Sequence, residues 1–242
     1  GGSPPVKAGI AWTGGDPAAA LTVFPGHVGN LPVLTDAAHG LGSISLASSR
    51  DGIIRRVPML SVMGNAIVPS LSAEMLRVVQ DAGGYTLRTT EAQGETSGGT
   101  ARPVALRSGA ATVPLDGTGQ MTVRFSRPQP SLLTPAAAIL APDGPDPGLR
   151  ARIENRLVLV GSSAPGLFDI RATPLAAGIP GVTIHADIIE QVLQGAFLTR
   201  PDWMAGLERL VILLAGLSLT LCLVFERPII GLVLMAAWVG GA

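Results

Sequence analysis

Hydrophobic and polar positions along this chain mark its elements one at a time. Residues 6–12 (VKAGIAW) make a short apolar run closed by Gly14-Gly15-Asp16-Pro17, which reads as a strand and a turn. Residues 41–47 alternate, Arg50-Asp51-Gly52 supplies a turn, and 53–62 is expected to return as the hairpin partner. Over 70–79 the apolar residues Leu71, Met75, Val78 and Val79 recur at helical spacing, with Ser70 as N-cap after Pro69. Residues 91–102 are a polar loop with nothing to bury. Short strands follow at 104–106, 111–115 and 121–125, with Asp116-Gly117 turning between the last two. Thr134 is placed as N-cap and Pro135 as first residue of a helix over 136–140. The uninterrupted run LVLV at 157–160 predicts a central strand buried on both faces.

The clearest helix spans 181–194. At about 100° per residue, Ile184, His185, Ile188, Ile189, Val192 and Leu193 share one half of it. Asp187, Glu190, Gln191 and Gln194 fall on the other half. His185 thus lies mid-face in the apolar stripe, near the helix start. Burial and the positive helix N-terminus both disfavour its protonation there. Strands interleaved with helices predict an α/β fold, a mixed layered sheet with flanking helices.

The end of the chain differs. Residues 210–225 carry no charge and have no polar stripe, and Trp203 stands where an interfacial aromatic would. With 205–207 added, the run approaches the ~30 Å of a bilayer core. Glu226-Arg227-Pro228 interrupts it, and 229–242 is apolar again. This predicts a transmembrane helical hairpin with spans at 202–226 and 229–242, after a folded region over 1–201. A first residue that is not Met, and a second span that stops short, suggest a piece of a longer protein.

Composition narrows the function. The 242 residues carry 17 Lys+Arg against 17 Asp+Glu, so there is no net field to hold a polyanion, and no nucleic-acid partner is expected. The mean hydropathy of +0.44 is high for a chain lying wholly in water. Cys222 is the sole cysteine, so no internal disulfide forms, and three histidines beside it make a structural zinc site unexpected. Arg provides nearly all the positive charge, Lys7 being the one lysine, which together with abundant Ala, Gly and Pro suggests a GC-rich bacterial source.

Several motifs invite chemistry. Gly161-Ser162-Ser163-Ala164-Pro165-Gly166 follows the predicted central strand, where α/β proteins place ligands. It is no P-loop, because Leu167 stands where Lys is required, and no nucleophile elbow, because Pro165 replaces the second Gly. Ser162 or Ser163, with Asp169 and His185, could compose a hydrolase. Equally, the serines could satisfy backbone in a turn and His185 could be a structural core residue. The hydrolase needs a serine within about 3 Å of His185. Asp169 and Arg171, two apart, form either a surface ion pair or a polar pocket rim with Thr173. Arg55 and Arg56 could meet an anion, although neighbouring strand positions point oppositely.

As a set, the motifs resemble a known family. Gly40-Leu41-Gly42, Arg50-Asp51-Gly52-Ile53-Ile54-Arg55-Arg56-Val57-Pro58, Val68-Pro69-Ser70-Leu71-Ser72-Ala73-Glu74, Arg156-Leu157-Val158-Leu159-Val160-Gly161-Ser162-Ser163, Asp169-Ile170-Arg171-Ala172-Thr173-Pro174 and Pro180-Gly181-Val182-Thr183-Ile184-His185-Ala186 are similar, in order and interval, to the signatures of the CHASE type-two domain. The departures are 30–38, which lacks the family's usual aromatics, and Ser43-Ile44-Ser45, where His-Val-Asn is common. The resemblance implies an extracytoplasmic sensory domain of a bacterial inner-membrane receptor, with residues 1–200 outside the cytoplasm. It implies an output by a nucleotide cyclase or a kinase beyond this chain, and no catalysis or cofactor within it. A homodimer sensing an unidentified small-molecule or periplasmic signal is expected, with Arg55, Arg56, Ser162, Ser163, Asp169, Arg171 and Thr173 as candidate ligand contacts. A membrane-tethered hydrolase and a non-catalytic dimerisation domain are the alternatives.

Overall fold

The computed structural model describes residues 3–90, 101–127, 129–142, 144, 146–163, 169–199 and 202–224. The chain divides into two compact units between Leu198 and Thr199. The first unit is mixed α/β. Strands β1 (Gly9–Thr13), β6 (Gly84–Thr89), β7 (Pro103–Ser108) and β8 (Ala111–Pro114) form one sheet in the order β1-β6-β7-β8, with β1 parallel to β6 and the other pairs antiparallel. A second sheet orders β2 (Thr22–Phe24), β4 (Leu60–Met63) and β5 (Ala66–Pro69). Two antiparallel pairs join β3 (Arg56–Pro58) to β9 (Gln120–Thr122) and β10 (Ile170–Thr173) to β11 (Ala176–Pro180). Two longer helices, α2 (Leu71–Val79) and α5 (Gly181–Gln194), pack on each other. Three short ones, α1 (Pro32–Ala37), α3 (Ala136–Ile139) and α4 (Pro147–Ile153), lie at the surface.

The core gathers Met59, Leu60, Leu87, Met121, Ile184 and Ile188, all essentially inaccessible. β6 shows why one sheet face closes over it: Tyr85, Leu87 and Thr89 are buried while Thr86 and Arg88 are exposed, the period-two alternation of a half-covered strand. Both long helices carry their own stop and start signals. Ser70 caps α2 by accepting from the Ala73 amide at 3.2 Å. Gly195, at φ 63°, ends α5 in a left-handed turn, with the Ala196 amide returning to the Gln191 carbonyl.

The fold departs from several expectations. The turn before Ile53 forms, with the Gly52 amide on the Ser49 carbonyl, yet 41–47 and 53–62 are not hairpin partners. Ser43 instead bonds across to Pro69 and Leu71 at the mouth of α2. Gly42 permits this approach: a Cβ there would lie 2.7 Å from the Leu71 Cα and the Ser70 carbonyl oxygen. Strands β8 and β9 likewise find separate partners, although Asp116 makes the expected turn between them by accepting from the Thr118 and Gln120 amides. Pro135, not Thr134, takes the N-cap position of α3, without a side-chain cap. Residues 157–160 are not a buried central strand. They have no strand partner among the described residues, and Val158 and Val160 are 48 % and 93 % exposed. An apolar run permits burial but supplies no neighbour, and the strands pair elsewhere.

The second unit contains α6 (Asp202–Val224). Among the described residues no helix is long and apolar enough to cross a membrane. The uncharged part of α6, 210–224, covers about 22 Å at ~1.5 Å per residue, short of a bilayer core. The interrupting Glu226-Arg227-Pro228, the expected second span at 229–242, the polar loop over 91–100 and Ala164, Pro165, Gly166 and Leu167 lie outside the described residues.

Candidate functional site

The first turn of α5 gathers several of the sequence candidates. The Gly181 amide donates to the Asp169 carbonyl at 2.7 Å, tying the strand entry to the helix start. A Cβ on Gly181 would collide with the Asp169 carboxylate, and one on Gly161 would sit 2.5 Å from the Val182 Cβ. These glycines therefore let 161 and 169 press against α5 from two directions. At about 100° per residue, His185 lies between Gly181 and Val182 around the helix, one turn further on. Asp169 also pairs loosely with Arg171, Nε to Oδ1 3.8 Å, where both side chains are partly exposed.

His185 itself is buried, at 3 % exposure. Its Nδ1 is 2.8 Å from the Ser72 Oγ, which projects from α2 and is fully buried. Burial holds the imidazole below its ordinary value; the Ile44 backbone and the Asp169 charge act more weakly in the opposite sense. Among the described residues Nε2 is buried without a hydrogen-bond partner. Among the described residues the Ser162 Oγ is likewise buried and unpartnered. Leaving such an atom unsatisfied costs roughly 1–3 kcal/mol. Neither Ser162 nor Ser163 bonds to His185, so the geometry a hydrolase needs is not assembled; Ser163 is exposed. The Ser72–His185 pair is too deeply enclosed to meet a substrate.

The remaining candidates are dispersed. Thr173 is buried and closes the β10–β11 turn, its hydroxyl donating to the Ala176 carbonyl and accepting from the Ala176 amide. Arg55 is exposed and grips Asp51 at 2.8 Å. The Ile53 amide, then Arg55, hold the Asp51 carboxyl below its usual range. Arg56 is also exposed and lies 3.7 Å from Asp116. Among the described residues no group of three or more His, Cys, Asp or Glu could hold a metal ion. A shallow, open depression of about 460 Å³ lies over β1 and β6, and none of the candidates lines it.

The patterning missed a buried polar framework. Glu74 accepts from Tyr85 Oη at 2.5 Å, from Arg77 Nε at 3.0 Å and Nη2 at 2.8 Å, and from the Leu41 amide at 3.3 Å. Arg77 also donates to the Ala82 and His39 carbonyls. Glu74 and Arg77 are buried, so the inward face of α2 is this cluster with Ser72, Ala73 and Leu76, while Val78 and Val79 are partly exposed. Burial, then the bond to Glu74, raises the Tyr85 hydroxyl far above its ordinary range. Arg77 is raised too, first by its bond to Glu74. On α5, Gln191 is buried rather than solvated: its Oε1 accepts from the Arg124 amide at 2.9 Å and its Nε2 donates to the Thr122 carbonyl at 3.1 Å. Leu193, expected inside, is exposed. The available signals were the i,i+3 spacing of Glu74 and Arg77 and the single tyrosine of the chain.

The molecule is thus a mixed α/β domain whose buried polar groups join its elements and whose candidate serines and histidine form no catalytic pair. The family model for the CHASE2 domain matches residues 10–223, and the chain belongs to the CHASE2 domain family. That family is extracytoplasmic, sensory and non-catalytic, and serves signal transduction. No curated protein and no solved structure matches the chain.

Proposed function

We propose that this chain is the ligand-sensing input module of a bacterial transmembrane receptor. Residues 1–200 face away from the cytoplasm and read a small-molecule or periplasmic signal near 161–174. The stretch 202–226, which includes α6, is the first of two spans in the inner membrane. Glu226-Arg227-Pro228 turns on the cytoplasmic side into the second span at 229–242. The module works as a homodimer and drives a cytoplasmic nucleotide cyclase, or else a kinase.

The observation that carries this reading is the family match, which runs through the folded unit and on to residue 223, well into the uncharged part of α6. Reporter fusions test it. A cytoplasm-active reporter joined after Arg227 is active, and the same reporter joined at position 95 is silent. The opposite pattern rejects the topology and the input role together.

A further inference from the structure

Strand β1 forms one edge of the four-stranded sheet, with β6, β7 and β8 all to its other side. The backbone groups of successive strand residues point in alternate directions. The Gly9 carbonyl oxygen faces Gly84 of β6, where a Cβ would lie 2.6 Å from it, and the Thr13 carbonyl accepts from the Thr89 hydroxyl at 2.9 Å. Residues 9, 11 and 13 therefore direct their N–H and C=O groups to β6, and Ile10 and Trp12 turn theirs to the open edge. Among the described residues, 9–13 make no backbone pairing beyond that with β6.

Sheets guard such an edge with charge, proline, a bulge or short length. β8, at the opposite edge, ends in Pro114, and β2, an edge of the second sheet, has three residues. β1 has five (GIAWT), with no charge, no proline and an unbroken register to β6. Its side chains also leave the core face incomplete. Ile10 stands beside Tyr85 and Trp12 beside Leu87, so both belong to the face that covers the core. Leu87 is wholly buried, whereas Trp12 is 43 % exposed. The core face thus ends on a half-exposed indole.

This edge fits a second copy of itself. Two β1 strands running antiparallel about a two-fold axis at Ala11 set Ile10 of each opposite Trp12 of the other. These are the residues whose backbone groups face outward, so the pairs exchange hydrogen bonds and each indole packs on an isoleucine. Each Ala11 meets its own copy in the intervening, unbonded pair, with about 4.5 Å between Cα atoms. The same axis carries Lys7 of each copy to the end where Asp16 of the other leaves the strand. Both are exposed, and neither is ion-paired within its own chain among the described residues. A strand of unrelated sequence would gain the backbone bonds without either match.

We propose that β1 is the dimerisation edge of this domain, pairing antiparallel with β1 of a second copy so that two four-stranded sheets become one. This gives the homodimer of the input-module reading its surface, and it rests on that reading for its meaning in signalling.

The test uses the full chain in detergent micelles, with its one cysteine removed by Cys222→Ser. Ala11→Cys is compared with Thr86→Cys, which is exposed on the same face one strand further in. Across the axis the two copies of Thr86 stand three strand spacings apart, about 14 Å, beyond the reach of a disulfide. Under mild oxidation Ala11→Cys should form a covalent dimer about tenfold or more faster than Thr86→Cys, because a held pair reacts at a high effective concentration. Adding Trp12→Lys should bring the two rates together while the circular dichroism spectrum stays that of the folded chain. A dimer held only through α6 oxidises both positions at comparable rates and overturns the proposal. An Ala11→Cys chain that stays monomeric overturns it too, as does cross-linking that survives Trp12→Lys undiminished. The reporter fusions keep the two readings apart: a normal topology with no preferred cross-linking at position 11 removes this interface and leaves the input role standing.

Discussion

The His185 ring joins α5 to α2 through a 2.8 Å contact with Ser72, in a place where neither side chain can reach water. Replacing it with Ala removes a buried ring and strands the serine hydroxyl, which should destabilise the domain by about 1–3 kcal/mol. Chemical denaturation of His185→Ala beside the unaltered chain measures this; equal midpoints would contradict the structural role. The same burial makes stability depend on pH. The unfolded imidazole takes a proton near its ordinary pKa of ~6.5, whereas the folded one resists until lower pH. Below about pH 6.5 the unfolded state therefore binds more protons, and stability falls as pH falls. Above that value neither state is charged and this contribution is constant. Melting temperatures between pH 5 and 8 should decline on the acid side, and His185→Gln should flatten that decline. A decline of the same size in His185→Gln would show that other groups cause it.

At the scale of elements, the entry to α2 depends on two close approaches. Gly42 lies against Leu71 and Ser70, and Gly40 against Glu74, so the segment before α2 can reach the buried Glu74–Arg77–Tyr85 cluster. Gly42→Ala should cost on the order of 1–3 kcal/mol, since a methyl group there meets backbone that cannot swing aside. Glu74→Gln leaves a buried guanidinium without its counter-charge and should cost about 3–5 kcal/mol. Equilibrium unfolding of both variants checks these values, and a Glu74→Gln loss below that of an exposed pair would contradict the burial.

These elements also explain what the amino-acid sequence disclosed. Local signals were legible: Ser70 as a cap, Asp116 as a turn and the bounds of α5. Pairing was not, because the choice of β3 for β9 and of β2 for β4 depends on residues far along the chain. The inward face of α2 misled because polar groups are priced as solvated until their partners are known. Glu74 finds Arg77 and Tyr85, and Gln191 finds the backbone of 122–124, only after folding. Of the candidate site, Asp169 lies against the first turn of α5, close enough for its charge to act on His185. Arg55 and Arg56 are spent on neighbouring carboxylates, and Thr173 on its own turn.

For the whole molecule, the question is how a signal would leave the folded unit. α5 ends at Gln194 and α6 begins at Asp202, so seven residues connect them, reaching about 25 Å at full extension. Phe197 within that link packs against the core, which shortens its free length. A ligand can move this link only by binding two states of the domain with different affinity. In the proposed receptor, occupancy near 161–174 would shift α5, and 197–203 would hand the shift to α6. The most direct measurement inserts a flexible Gly-Ser stretch between Thr199 and Asp202 in the intact receptor and records ligand-dependent output. The account predicts that the response is lost while the folded unit keeps its melting temperature. An undiminished response would contradict it, and association of entire sensory domains would then have to carry the signal.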